Sequence, residues 1–213
     1  MHCAMAKKIL LALALVLGLL VVIIAMQPAA FTIVRTATIN APPQLVFAQV
    51  NDFHRWLAWS PWEKTLTDVK QSYSGDDFGV GAKYAWASKE SDGNMTIEES
   101  KPERISIALN FTQPFKAENR TLFDFKPEGT GTAVTWSMTG TRDFMSKAAG
   151  LVMDMDKLVG GDFENGLAAM KTIAEAEATS SAAAAVAAQA SEAKAGAEAA
   201  AAAAAAVTDA GTP

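Results

Sequence analysis

The chain has 213 residues, with 18 Lys+Arg against 23 Asp+Glu and a formal net charge of −5. That length holds one ordinary domain with appendages, and the acidic balance lacks the surplus of Lys and Arg that phosphate contacts need, so no nucleic-acid partner is expected. One cysteine excludes an intramolecular disulfide, and two histidines, one of them His2, speak against a metal centre built on Cys or His; no metal and no cofactor are expected.

Lys7-Lys8 precede an uncharged run, residues 9–26, made only of Ile, Leu, Ala, Val, Gly and Met. As a helix the run spans roughly 27 Å, close to the hydrocarbon thickness of a bilayer. A secretory signal has a shorter apolar region, ~7–15 residues, and a small-x-small cleavage site. Here the run ends in Met26-Gln27-Pro28-Ala29-Ala30, where the small residues are poorly placed. Residues 9–27 are therefore expected to remain as a single transmembrane anchor, with a cleaved signal as the alternative. The two lysines before the run, and none just after it, put residues 1–8 in the cytoplasm. The globular part then lies outside the cytoplasm, in the periplasm if the source is a Gram-negative bacterium. Cys3 precedes the run, so lipoprotein acylation is not indicated.

The globular part is expected over 31–178, with 15 Lys+Arg and 20 Asp+Glu. Phe31–Ile39 alternates apolar and polar residues and predicts a strand. Asn40-Ala41-Pro42-Pro43 stops it and suits a helix start, and Gln44–Asn51 follows as a short amphipathic helix. Trp56, Trp59 and Trp62 come next at a spacing of three, which puts them near one side of a second short helix. They suit a core staple between helix and sheet, or an aromatic rim around a pocket.

Six further strands are expected: Val69–Ser74, Ala82–Lys89, Met95–Ser100, Arg104–Phe111, Lys116–Phe125 and Thr132–Thr139. Short turns separate them, at 75–81, Asp92-Gly93-Asn94, 101–103, Gln113-Pro114 and 127–131. That is an antiparallel meander. Period two places Tyr84 with Trp86, Ile107 with Leu109, and Val134 with Trp136 and Met138 on core-facing registers. The register of Phe123 and Phe125 also carries Asn119 and Thr121, so that strand's inner face is polar at one end.

After Thr141 the period becomes helical. Asp143 or Thr141 can cap, and Phe144, Ala148, Leu151, Val152, Met155, Val159, Phe163, Leu167, Met170 and Ile173 form one stripe to about residue 176. Gly150, Gly160, Gly161 and Gly166 interrupt it, and predict either close approach to the sheet or a bend near Gly160-Gly161. Residues 179–213 are mostly alanine, with high helix propensity but no large apolar face, and are expected to form a low-complexity tail with transient helix. A curved sheet covered by one long helix encloses a natural elongated cavity.

Four stretches carry a resemblance: Arg35–Phe47, Asn51–Lys64, Gly79–Trp86 and Thr135–Gly140, followed by the final helix. Over about 145 residues the chain resembles the START-related helix-grip superfamily (SRPBCC), in its polyketide cyclase/dehydrase-like branch. The resemblance implies an α+β helix-grip fold, with a curved antiparallel sheet of about seven strands wrapped on a long C-terminal helix and two short helices after the first strand. It also implies a cavity for hydrophobic small molecules. The family has no catalytic signature common to all members, so an activity does not carry over.

The residues themselves offer little chemistry. Gly79-Val80-Gly81 precedes a strand and lacks a third glycine, which disfavours a dinucleotide site, and no P-loop, G-x-S-x-G or H-E-x-x-H occurs. Asp154 and Asp156 read as a solvated helix face. His54 reads as a surface or hydrogen-bonded structural residue, with a general base as the alternative. A cyclase or dehydratase needs an acid/base pair inside the cavity, and the inward polar candidates are only Tyr84, Asn119 and Thr121. The expected function is a membrane-anchored binding module for a lipid, quinone or polyketide-like molecule. Its pocket is expected to be lined by Tyr84, Trp86, Ile107, Leu109, Asn119, Thr121, Trp136 and Met155, with no catalytic residue. The alternatives are a cyclase-, dehydratase- or hydrolase-type enzyme on such a ligand, or an interaction domain filled by its own side chains.

Overall fold

The computed structural model describes residues 2–62 and 68–209; Glu63 and Lys64 of the Trp-rich stretch and the end of the alanine-rich tail lie outside it. Helix α1 (His2–Met26) contains the apolar run, and Lys7–Met26 is long and apolar enough to cross a membrane. Strand β1 (Ala30–Ile39) leads into α2 (Pro43–Asn51), a 3-10 turn (Phe53–Arg55) and α3 (Trp56–Trp59). The meander is β2 (Lys70–Ser74), β3 (Lys83–Ala87), β4 (Asp92–Lys101), β5 (Arg104–Gln113), β6 (Ala117–Glu128) and β7 (Gly131–Thr141). Helices α4 (Phe144–Ala149) and α5 (Met155–Asp209) end the chain. The seven strands form one antiparallel sheet in the order β1-β7-β6-β5-β4-β3-β2. This is the helix-grip architecture anticipated, with β1 closing against the last strand of the meander.

Two details of the meander differ from expectation. Asp92-Gly93-Asn94 belongs to β4, and the turn is 88–91. Ser88 makes that turn, since its hydroxyl donates to the Ser91 carbonyl at 3.0 Å and accepts from the Ser91 N–H at 3.0 Å. Gly93 is in a strand because Trp86 lies across it, and a Cβ at Gly93 would collide with the indole.

The C-terminal stripe is also not one helix. Asp143 caps α4 by accepting from the Ser146 N–H at 2.7 Å, and Asp154 caps α5 by accepting from the Lys157 N–H at 3.2 Å. The chain thus carries two start signals, and the break falls at 150–154. The first part of the stripe (Phe144, Leu151, Val152) is exposed, whereas Phe163, Leu167, Met170 and Ala174 are buried. Helix α5 runs unbroken past Gly160-Gly161 and through the alanine-rich segment, where residues 179–199 are exposed throughout.

Helix α5 packs on β1, α2 and α3. Gly160 lies over Arg35, and a Cβ there would overlap the guanidinium. Arg35 is held by Asp156 at 3.0 Å and Glu164 at 2.6 Å, one turn to either side of that glycine. Farther along, Lys171 donates to the Thr38 carbonyl at 2.7 Å, Asn40 N–H donates to Glu175 at 2.8 Å, and Glu177 accepts from Gln49 at 2.9 Å. Gly166 lies on Trp136, where a Cβ would come within 2.9 Å of the ring and 3.1 Å of Pro61 Cδ, whereas at Gly161 it would meet open space. Gly160 and Gly166 therefore serve close approach, and the helix is not interrupted at Gly160-Gly161.

Substitution separates these roles. Gly166→Ala gains about 1 kcal/mol of helix propensity but overpacks a ring that cannot retreat, at ~1–3 kcal/mol, so a net loss of stability is expected. Gly161→Ala should gain ~0.5–1 kcal/mol. Thermal melts of the intact protein check the pair, and equal effects would show that helix and sheet do not touch at Gly166.

A pH dependence follows from the Arg35 clamp. Hydrogen bonding to Arg35 holds the Asp156 carboxyl below its ordinary value. The stabilisation is present above the unfolded value of about 3.9 and is lost as pH falls through the lower folded value. Asp156 is largely exposed, so the effect is small. Acid unfolding should be less steep below about pH 4 in Asp156→Asn than in the parent.

Candidate ligand-binding face

The inner face of the sheet divides into a sealed half and an open half. In the sealed half Trp136 on β7 stacks on Phe163 of α5, with centroids 4.0 Å apart and planes 5° from parallel, and on Phe123 at 4.8 Å. Trp56, Trp59 and Trp62 present to it at 6.5, 5.6 and 5.8 Å, at steep angles. The Trp56 indole N–H donates to the Val50 carbonyl and that of Trp59 to the Gln49 carbonyl, both at 3.0 Å. The tryptophans staple α2 and α3 to the sheet, and the grip is filled there.

The open half is a row across the strands. Tyr84 pairs with Met95, Met95 with Leu109, Leu109 with Asn119, Asn119 with Gly140 and Gly140 with Phe31. Trp86 lies in the next row beside Gly93 and Phe111. Buried residues near the α5 stack, such as Ile105, Ile107, Phe123 and Phe163, are 0–1% exposed. By contrast Tyr84 (7%), Met95 (8%), Met138 (8%), Leu109 (9%) and Trp86 (9%) all keep a residual exposure. Rings surround this row: Tyr84 with Phe53 at 6.1 Å and Trp86 at 5.9 Å, and Trp86 with Phe111 at 5.6 Å.

Two buried polar atoms on the inner face have no partner among the described residues: Asn119 Oδ1 and Trp136 Nε1. Gly140 gives the Asn119 amide its space, since a Cβ there would overlap Oδ1. Asn119 Oδ1 is an acceptor at the open end and can meet a hydroxyl, whereas the Trp136 N–H is a donor enclosed in the filled half. Neither exchanges a proton readily.

Seven of the eight expected lining residues therefore share the inner face. Tyr84, Trp86, Leu109 and Asn119 lie at the open end, and Ile107, Thr121 and Trp136 lie deeper. Met155 is not with them. It begins α5 and lines a surface depression of about 440 Å³ with Arg142 and residues 150–156. A second depression, about 350 Å³, is lined mostly by charged side chains, among them Glu99, Lys101, Arg104 and Asp124. Neither lies between inner face and helix. Met95, Phe31 and Gly140 were not anticipated at this face; a glycine inside a strand is the signal that could have pointed to it.

Acid/base groups lie elsewhere. The inward register of β3 to β6 carries no Asp, Glu or His. His54 Nδ1 lies 2.9 Å from Asp52 Oδ1, and its ring stacks on Tyr73 at 4.2 Å, the hydrogen-bonded structural placement. Asp156 is an ion-pair partner of Arg35 and not merely a solvated carboxylate. Among the described residues no group of three His, Cys, Asp or Glu is arranged for a metal.

The family model described as polyketide cyclase / dehydrase and lipid transport matches residues 30–175. No curated protein matches. Among solved structures, a Chromobacterium violaceum protein superposes with a TM-score of 0.52 at 17% identity, covering 68% of this chain and 96% of its own. An uncharacterized Rhizobium leguminosarum protein gives 0.51 at 14%, covering 70% and 97%. The di-domain ARO/CYC StfQ of the steffimycin biosynthetic pathway gives 0.53 at 8%, covering 71% of this chain and 52% of its own. At these identities the structures speak for the fold alone.

The unpartnered amide generates a stability prediction. A buried carbonyl without a donor costs ~1–3 kcal/mol, and leucine has a similar shape. Asn119→Leu should therefore raise the unfolding free energy of the ligand-free protein by about 1 kcal/mol in urea titration. A loss of that size would mean that the amide is already satisfied.

Proposed function

We propose, for a chain that belongs to the polyketide cyclase/dehydrase and lipid-transport family, that it is a membrane-tethered module which holds a hydrophobic small molecule against the open half of its sheet. The observation that carries this reading is the pairing of an apolar, incompletely covered row with one unpartnered acceptor, Asn119 Oδ1. An amphipathic molecule such as a lipid, quinone or polyketide-like compound suits that surface. Its apolar part lies along Tyr84, Trp86, Met95 and Leu109, and its hydroxyl donates to Asn119. Burial of apolar area supplies most of the affinity, at about 25 cal/mol per Å² before the costs of immobilisation. The amide selects which end of the ligand enters.

The apolar run of α1 supports a tether, and on this reading residues 31–178 form the binding domain and residues 179–213 its tail. The lysines before the run favour a cytoplasmic N-terminus and a globular domain across the membrane. No acid/base pair reaches the inward register, so the reading is retention without turnover.

Native mass spectrometry of the detergent-extracted protein tests it. A bound apolar compound of constant mass is expected over prolonged incubation, together with a changed ligand profile in Asn119→Leu, since a lost hydrogen bond shifts preference by ~1–3 kcal/mol. His54→Ala should leave the profile unchanged. A compound whose mass changes with time, and stops changing in His54→Ala or Tyr84→Phe, would show an enzyme instead. Extraction without any ligand from intact membranes would overturn the binding reading.

A further inference from the structure

We infer that the globular domain does not swing freely on its tether but docks on the bilayer through α4, the 150–153 segment and the β5–β6 tip; the inference rests on the reading of α1 as a membrane anchor. The occupant proposed for this surface is the headgroup and upper acyl region of a phospholipid bilayer.

Three observations converge on it. First, the domain is tied to the end of the apolar run. Only Gln27, Pro28 and Ala29 separate α1 from β1. Helix α4 packs against α1, Lys147 Nζ donates to the Ala25 carbonyl at 3.4 Å, and the Arg142 N–H donates to the Ala29 carbonyl at 2.7 Å. Ile24 is buried, alone in a run that is otherwise exposed. The apolar run stops at Met26, so that level is the membrane boundary, and α4 is held there.

Second, exposed apolar side chains gather at this level. Phe144 (47%), Met145 (58%), Leu151 (40%), Val152 (86%) and Met153 (49%) follow directly on β7, and none has joined the core. The sheet register puts the β5–β6 tip at the same end, because Asn119 near the start of β6 pairs with Gly140 near the end of β7. Phe115 on that tip is 60% exposed. Third, cations border these residues: Arg142 lies over the Phe31 ring at 5.4 Å, Lys116 follows Phe115, and Lys147 comes two residues after Met145. Apolar groups with lysine and arginine at their margin are what an interfacial surface needs, rings and methionines entering the acyl boundary and cations meeting phosphates. Asp143 and Asp154 each cap a helix, where the positive N-terminal end of the dipole offsets part of their charge.

The test uses the full chain with Cys3→Ser, reconstituted in phosphatidylcholine/phosphatidylglycerol vesicles. An environment-sensitive fluorophore is attached at one of three introduced cysteines: Leu15→Cys within α1, Val152→Cys, or Phe78→Cys. Phe78 is 66% exposed, in the loop after β2, the opposite edge strand of the sheet. Quenching by nitroxides carried on lipid acyl chains is measured at each. Docking predicts strong quenching at Leu15, severalfold more quenching at Val152 than at Phe78, and a blue-shifted emission at Val152. Quenching at Leu15 with Val152 no different from Phe78 would overturn the docking inference and leave the anchor standing. No quenching at Leu15 would show that α1 is not in the bilayer, and both readings would fall.

Discussion

Everything in this molecule depends on how closely α5 can approach the sheet. A helix normally keeps 8–10 Å from its neighbour because side chains intervene. Here two glycines on the facing side remove the intervening atoms at two points. Over Gly160 the space is taken by the Arg35 guanidinium, and over Gly166 by the Trp136 ring. One contact is ionic and lies at the rim, and the other is aromatic and sealed. The ionic contact sets the helix's position along its axis, because Arg35 must lie between Asp156 and Glu164. The aromatic contact sets its distance, because Trp136 is itself confined between Phe123 and Phe163.

That approach decides which part of the sheet can serve a ligand. With α5 drawn down over β1 and β7, the tryptophans of α3 and the rings of β6 and β7 fill the grip. Rings packed edge-to-face and stacked leave little that can be rearranged without loss of dispersion contacts. The row of Tyr84, Met95 and Leu109 is different. It lies on strands two and more away from β7, and its side chains, though buried, keep a residual exposure that those of the stack do not. A helix cannot fit closely at β7 and also reach β3, since the sheet order places four strand-to-strand steps between them. At about 4.8 Å per step that is roughly 19 Å. The open half is the geometric consequence of the sealed half.

Period two in the strands made most of this legible from the residues. Ile105, Ile107 and Leu109, or Val134, Trp136 and Met138, can be assigned to one face because alternation leaves no other arrangement with a buried core. The helix-grip order followed from strand, short helices, meander and long helix. What was not legible came from side chains that act on the backbone. Asp154 in a run of apolar residues looks like part of a continuing amphipathic stripe, and only its contact with the Lys157 N–H shows it to be a second cap. Met155 was assigned to the pocket by that same stripe, so the break at 150–154 removed it. Gly93 carries a turn signature with Asp92 and Asn94, but its lack of a side chain serves Trp86 across the strand. Asn119 was placed on the correct face by register. The space its oxygen occupies depends on Gly140, its cross-strand partner on the next strand.

The same strand joins the two ends of this arrangement. β1 begins three residues after the apolar helix, and along its length it carries Phe31 at the open row, then Arg35 under α5, then Ile39 in the closed core. A displacement of α1 is thus transmitted directly to the strand on which α5 rests, with only three residues between them. Pro28 stiffens the connection further by restricting its own backbone and that of Gln27. Phe31 lies in the register of Asn119 and Leu109, so the open row ends on the residues nearest α1. On the function proposed above, an apolar ligand held there has its exit toward the α1 end of the domain and the sealed aromatic half behind it. The polar amide lies between the two, where it can hold a hydroxyl without requiring the rest of the molecule to enter the packed core.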